Sequence, residues 1–429
     1  MRYQTSPAAF FTAVRSTLAA QLESKCLALV NACDVLPSCA DGTHPFRQNS
    51  DLFYLTGIDQ EETILVLFPD AFSEEDKEIL FLRETDEQAA VWDGPRVTRE
   101  EAKKQTGISN VRWLGEFDAI FRRLMIEGKG LYLNSNEHLR ASVEVETRDT
   151  RFTRRCREQF PLHALHRLAP LLTEMRMLKR QDEIDLIGRA CGITAAGFRR
   201  VLGFVRPGLK EYEVEAEYAH EFLRSGSRGF GYQPIIASGA NSCVLHYTAN
   251  DRECRSGDLL LMDVGAEYGY YNADMTRTIP VSGRFNPRQR DVYDAVLRIL
   301  RECCQMLRPG VVLRDYEKEV GRLMEGELVR LGLLENSKVA SQDPERPLYK
   351  RYFMHGTSHH LGLDVHDVAL AHRPLEDGMV LTVEPGIYLP KEGFGVRLEN
   401  NIVIGAEKNT DLMAGIPIDP DEIEDLMNL

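Results

Sequence analysis

Two apolar segments each carry one acid near their end, and each is followed by a second segment with one acid more. GDLLLMDVG (257–265) holds Asp263 and GMVLTVEPG (378–386) holds Glu384. Asp274 follows in YYNADMTRTIPV and Glu399 in GVRLENNIVI. Apolar runs of this kind suit strands covered on both faces, where an ionised carboxylate is costly unless paired. One such acid would ordinarily bond turn amides. Four at matching places ask for about four positive charges, and Arg397 supplies only one of them; two divalent cations would supply all four. Four carboxylates with an imidazole make an oxygen-rich site suited to Mn²⁺, with Co²⁺, Zn²⁺ or Fe²⁺ as alternatives. Two such ions roughly 3.5–4 Å apart can bridge a hydroxide and polarise a carbonyl, the chemistry of amide or ester hydrolysis.

The imidazole has several candidates. FMHGTSHHLGLDVHDVALAH (353–372) contains five of the eleven histidines: His355, His359, His360, His366 and His372. No HExxH pattern is present, so spacing alone does not say which of them ligates.

The elements that must position these groups repeat. Arg206-Pro207-Gly208 and Arg308-Pro309-Gly310 each hinge a helix pair. HYTANDRECRSGDLLLMDVG and HDVALAHRPLEDGMVLTVEPG then align His246 with His366, Gly257 with Gly378, Asp263 with Glu384 and Gly265 with Gly386. Two pseudo-symmetric αβ halves facing each other are expected. Before them, roughly the first 160 residues alternate β-rich runs (CLALVNA, TILVLFP, EILFLR, GLYLN) with amphipathic stretches such as 115–126, the pattern of a small α/β domain. The boundary is expected within about ten residues of 165, giving domains 1–165 and 166–429.

At 429 residues, two or three domains are the fair expectation. The net charge of -14 argues against nucleic acid or an anionic membrane as partner, and no apolar run approaches the roughly 18 residues of a membrane span. Nine cysteines without a CxxC pair suit a reduced, cytoplasmic protein. The start lacks acids until Glu23, as a transit peptide would, but Phe10, Val14 and Leu18 recur at helical spacing and suit an ordinary first helix.

MDVGAEYGYYNADMTRT, FMHGTSHHLGLDVHD, LTVEPGIY and GVRLEN resemble the motifs of the metallopeptidases with the pita-bread fold, a group that includes aminopeptidase P, prolidase, methionine aminopeptidase and creatinase. The resemblance runs from about 170 to the end, with the motifs in order. It implies a C-terminal pita-bread domain after a smaller creatinase-like α/β domain. It implies that Asp263, Asp274, His359, Glu384 and Glu399 ligate two metals, with Asp274 and Glu399 bridging. His246 and His366 would orient substrate and stabilise the tetrahedral intermediate, His355 would lie beside the proline subsite, and Glu384 would also shuttle the proton. The repeat agrees: His246 and His366 are partners, whereas His359 has no counterpart. His360 and His372 are left as a packing and a surface residue.

The N-terminal segment separates the branches. FRQNSDLFYLTG (46–57) resembles a signature of the aminopeptidase P N-domain, and AVWDGPR (90–96) the segment whose tryptophan reaches a neighbouring subunit's site. Trp92 is thus expected to touch substrate across a homodimer or homotetramer; the ordinary alternative is half-buried packing. The activity implied is hydrolysis of the N-terminal Xaa-Pro bond of peptides with proline second. Prolidase is the near alternative and a non-catalytic binding protein of the same fold the remote one. Arg397 is expected to orient Glu399 or bind substrate, a surface salt bridge being the plain alternative, and Tyr388 to bind substrate. Two departures bear on fine specificity: His360, where relatives often carry a bulky aromatic, and the short LPKEGFG loop (389–395).

Overall fold

The computed structural model describes residues 3–84, 90–92, 94–135, 137–138, 140–141 and 144–429. Two compact units are present, one built on Thr5–Met175 and the other on Arg176–Leu429.

In the N-terminal unit the expected runs form β1 (Cys26–Asn31), β2 (Ile64–Leu67), β3 (Glu78–Leu82) and β5 (Gly130–Leu133). They are joined by β4 (Asn110–Trp113) and β6 (Ala164–Arg167). Among the described residues these six strands make one sheet in the order β4-β3-β2-β1-β5-β6. Alternate side chains face one core: Leu27, Leu29, Ile64, Val66, Ile79 and Phe81 pack against Phe117, Phe121 and Phe152 of two covering helices. Each such side chain stabilises the fold by about 1.5–3 kcal/mol relative to exposure. The first helix, Ala8–Ala19, buries Phe10, Val14 and Leu18 as their spacing predicts. Position 165 falls inside β6, which is hydrogen-bonded to β5; the units part at Met175, ten residues on. β6 is half exposed, so it lacks the apolar run that marks the other strands.

The C-terminal unit repeats a helix pair followed by strands. Helices Gln181–Leu202 and Glu211–Arg224 precede β7 (Ile235–Ser238), β8 (Leu259–Val264), the short β9 (Glu267–Tyr268) and β10 (Tyr271–Asn272), and β11 (Met275–Pro280). Helices Pro287–Met306 and Leu313–Arg330 precede β12 (Val380–Val383), β13 (Gly386–Leu389), β14 (Phe394–Arg397), β15 (Asn400–Val403) and β16 (Thr410–Asp411). β7, β8 and β11 form one antiparallel sheet, and β12, β15 and β16 another.

The repeat read from the sequence holds at the level of single hydrogen bonds. Gly208 N–H donates to Cys254 O (2.9 Å), and Gly310 N–H donates to Leu375 O (2.8 Å). The return bonds match as well: Cys254 to Leu209 (2.8 Å) and Leu375 to Val311 (2.7 Å). Gly257 and Gly378, aligned in the sequence, have φ of 87° and 86°. Both are left-handed turns that lead into β8 and β12, and a side chain there would be strained.

Candidate active site

The acids lie where the two halves meet within the C-terminal unit. Asp263 sits near the end of β8, and the β8–β11 register places Thr276 opposite it. Asp274 immediately precedes β11, Glu384 immediately follows β12, and Glu399 immediately precedes β15. One ligand atom each from Asp274, His359 and Glu399 lies within 4.8 Å of the others. His359 Nε2 is 3.4 Å from Asp274 Oδ2 and 3.5 Å from Glu384 Oε1. Its Nδ1 lies 3.0 Å from the carbonyl of His360. A carbonyl only accepts, so Nδ1 carries a hydrogen, and Nε2 is the ring nitrogen turned to the acids.

The cluster is short of positive charge. Asp274 is pushed well above the ordinary carboxylate range by burial and then by Asp263. Burial and then Asp274 and Asp263 do the same to Glu399, and burial and then Glu399 to Glu384. Arg397 is the cation set among them. Burial opposes its charge, but Tyr388, Asp263, Glu384 and Glu399 outweigh that and raise it further. One guanidinium against four crowded acids leaves the deficit that divalent cations would fill, and the donor set, hard oxygens and one imidazole, fits them.

Arg397 is buried, which excludes the surface salt bridge. Its Nη2 pairs with Asp263, its Nη1 donates to Tyr388 (2.8 Å) and its Nε to Thr276 Oγ1 (3.0 Å). It reaches Glu399 only through Thr276, whose hydroxyl donates to Glu399 Oε2 (2.7 Å). Tyr388, expected to bind substrate, is fully buried. Its hydroxyl accepts from Arg397, so its own hydrogen goes to His355 Nε2 (2.7 Å), and His355 Nδ1–H donates to Gly356 O (2.8 Å). This chain requires a neutral His355. Burial first, then Arg397, agree, holding it down to about 3. Its Nδ1 is 3.6 Å from Glu384 Oε2.

His366 packs edge-on against His359, with ring centroids 4.3 Å apart. His246 is exposed. His360 is buried and His372 exposed, and neither joins the cluster. Trp92 belongs to the N-terminal unit and is 81% exposed, so half-buried packing is not its state. The 389–395 segment is mostly the β13–β14 hairpin, with Leu389 paired to Phe394.

Three residues escaped the sequence reading. Tyr232 places its hydroxyl 2.6 Å from both Asp263 Oδ1 and Asp274 Oδ1. A phenol has one proton to give, so Tyr232 donates to one of those carboxyls at a time. Asn401, on β15, accepts from Asp274 N–H (3.0 Å) and donates to Asp274 O (2.6 Å). Glu211, fully buried, accepts from Ser238 N–H, Ser238 Oγ, Asn241, Tyr247 and Arg252 N–H, tying down both ends of the loop that carries His246. An Asn inside a buried strand was a usable signal for Asn401. A lone Tyr or Glu carries none.

Known proteins match nearly the whole chain. Residues 185–406 match Metallopeptidase family M24, and residues 11–132 match the Aminopeptidase P, N-terminal domain. The chain is 38% identical to the Xaa-Pro aminopeptidase of Escherichia coli (strain K12), over 96% of both chains. It is 29% identical to Xaa-Pro aminopeptidase 3 of Homo sapiens, over 90% of this chain and 78% of the human one. Among solved structures, a putative aminopeptidase P from Bacillus anthracis superposes with a TM-score of 0.92 at 32% identity. Zinc-substituted E. coli aminopeptidase P in complex with product gives 0.87 at 36%. Each comparison covers 99% of both chains.

Proposed function

The chain belongs to metallopeptidase family M24, with the N-terminal domain of aminopeptidase P ahead of a pita-bread domain, and from this we propose that it is a metal-dependent aminopeptidase that removes the first residue from peptides with proline second. The observation that carries the reading is the convergence of Asp274, His359 and Glu399 within 4.8 Å, flanked by Asp263 and Glu384. These five side chains would hold two divalent cations, Mn²⁺ foremost. Bound there, the pair would supply Lewis acidity and make a water more acidic.

The chain's own groups do the rest. Glu384, as a carboxylate, would accept the proton of the attacking water and deliver it to the departing prolyl nitrogen. His246 donates to the oxygen on which negative charge develops, and His366, packed on His359, supports the tetrahedral intermediate. Proline's tertiary amide lacks the N–H that other aminopeptidase subsites bind. A dedicated wall is therefore needed, and neutral His355, locked by Tyr388 and Gly356, provides it. Exposed Trp92 suits contact with a second copy in a homodimer or homotetramer, and the free cysteines suit the cytoplasm.

The test is a manganese-supplemented assay comparing Xaa-Pro-Xaa tripeptides with Xaa-Pro dipeptides. Release of the first residue from the tripeptide is expected. Cleavage of the dipeptide alone would make the chain a prolidase, and no cleavage with no bound metal would leave only a binding protein of the same fold.

A further inference from the structure

The second helix of each pair lends one acid to a loop that carries histidines. In the first half Glu211, which opens its helix, gathers the loop bearing His246. In the second half Glu317, near the start of helix Leu313–Arg330, reaches the segment that bears His355 and His359. Its Oε1 accepts from Thr357 N–H (2.8 Å) and its Oε2 from Thr357 Oγ1 (3.2 Å). Thr357 is fully buried, and its carbonyl accepts from Glu384 N–H (2.8 Å). Glu317, Thr357 and Glu384 thus form one line of hydrogen bonds from the helix to the acid cluster.

Thr357 stands midway between His355 and His359, and the two residues to either of them span about 7 Å at most. Where Thr357 is held, both histidines are confined. The two ends are not braced alike. His359 is tied to β12, since its N–H donates to Thr382 Oγ1 (3.2 Å) and its carbonyl accepts from Thr382 N–H (2.9 Å). The carbonyl of His355 accepts instead from exposed Lys350, at 3.3 Å. Slack at Thr357 therefore moves His355 more than His359. The donors also explain the acid: a carboxylate accepts at both oxygens and donates at neither, whereas an amide would set its own N–H against one of Thr357's donors.

Building on the aminopeptidase reading, we propose that Glu317 is a positioning residue for specificity. By holding Thr357 it keeps His355 at the distance from the acid cluster at which proline fits as the second residue.

The full-length protein and Glu317→Gln, each supplied with Mn²⁺, test this on an Xaa-Pro-Xaa tripeptide. KM should rise about tenfold or more in the variant, with kcat little changed. Manganese affinity, measured by equilibrium dialysis, should stay at its natural value, because His359 keeps its ties to β12. A merely structural tie would move kcat and manganese affinity along with KM. Thr357→Val keeps the N–H bond and nearly the same shape, so it carries the test even where Glu317→Gln unfolds; its KM should rise about threefold, for one hydrogen bond lost. Unchanged KM in Thr357→Val or in folded Glu317→Gln, or a parallel loss of kcat and manganese affinity, would overturn the proposal alone. No turnover by the natural protein would sink the aminopeptidase reading and the proposal with it.

Discussion

Asn401 closes both backbone groups of Asp274 with one side chain, accepting its N–H at 3.0 Å and donating to its carbonyl at 2.6 Å. The two residues belong to opposite halves of the pseudo-symmetric unit, so this pair of bonds sets the distance between the two sets of acids. Asn401→Ala removes both bonds inside a fully buried strand. Manganese affinity should fall about 10–100-fold, with roughly 1–3 kcal/mol of stability lost. Calorimetric titration with Mn²⁺ and thermal unfolding check the two effects. Unchanged metal affinity would show that the halves are aligned by other contacts.

Glu384→Gln keeps size and shape but cannot carry the proton. Turnover of an Xaa-Pro tripeptide should drop by about 10²–10⁴-fold, while circular dichroism and the melting temperature stay near those of the natural protein. Near-normal turnover would refute its role as shuttle.

Asp367 is sealed between Arg176 and Lys179, the latter at 2.8 Å, directly after His366 in the chain. Burial alone would raise its carboxyl; the two cations outweigh burial and hold it down to about 2. A depressed folded value contributes stability above the ordinary value near 4, and that contribution disappears as pH falls from there towards 2. Asp367→Asn leaves buried cations short of a partner and should cost about 3 kcal/mol at pH 7. The difference from the natural protein should shrink as pH drops through 4. Equal melting curves at pH 7 would contradict this account.

Glu211 organises the His246 loop through five accepted hydrogen bonds. Glu211→Gln turns one acceptor oxygen into a donor facing donors, so the loop should loosen. The expected result is a fall in kcat of roughly tenfold or more, with metal content unchanged. Loss of metal along with activity would point to general unfolding instead.

Much of the site was legible in the sequence because it was written twice. Apolar strands with one acid each, glycines at the same left-handed turns and a histidine at each repeat start survive as pattern, since each depends on local backbone geometry. The aromatic and aliphatic alternation of β1, β2, β3 and β5 was legible for the same reason, whereas half-exposed β6 was not. Contacts made by single residues far apart in the chain left no pattern. Nothing in spacing says that Tyr232 will bridge Asp263 and Asp274, that Arg397 will pair with Asp263 rather than Glu399, or that Glu317 will take both donors of Thr357. The sequence by itself determined which residues could bear the chemistry, because residue type and period follow from chain-local sterics. Only the tertiary structure decided which donor faces which acceptor, because those choices arise when buried charges must find partners on elements far apart in the chain.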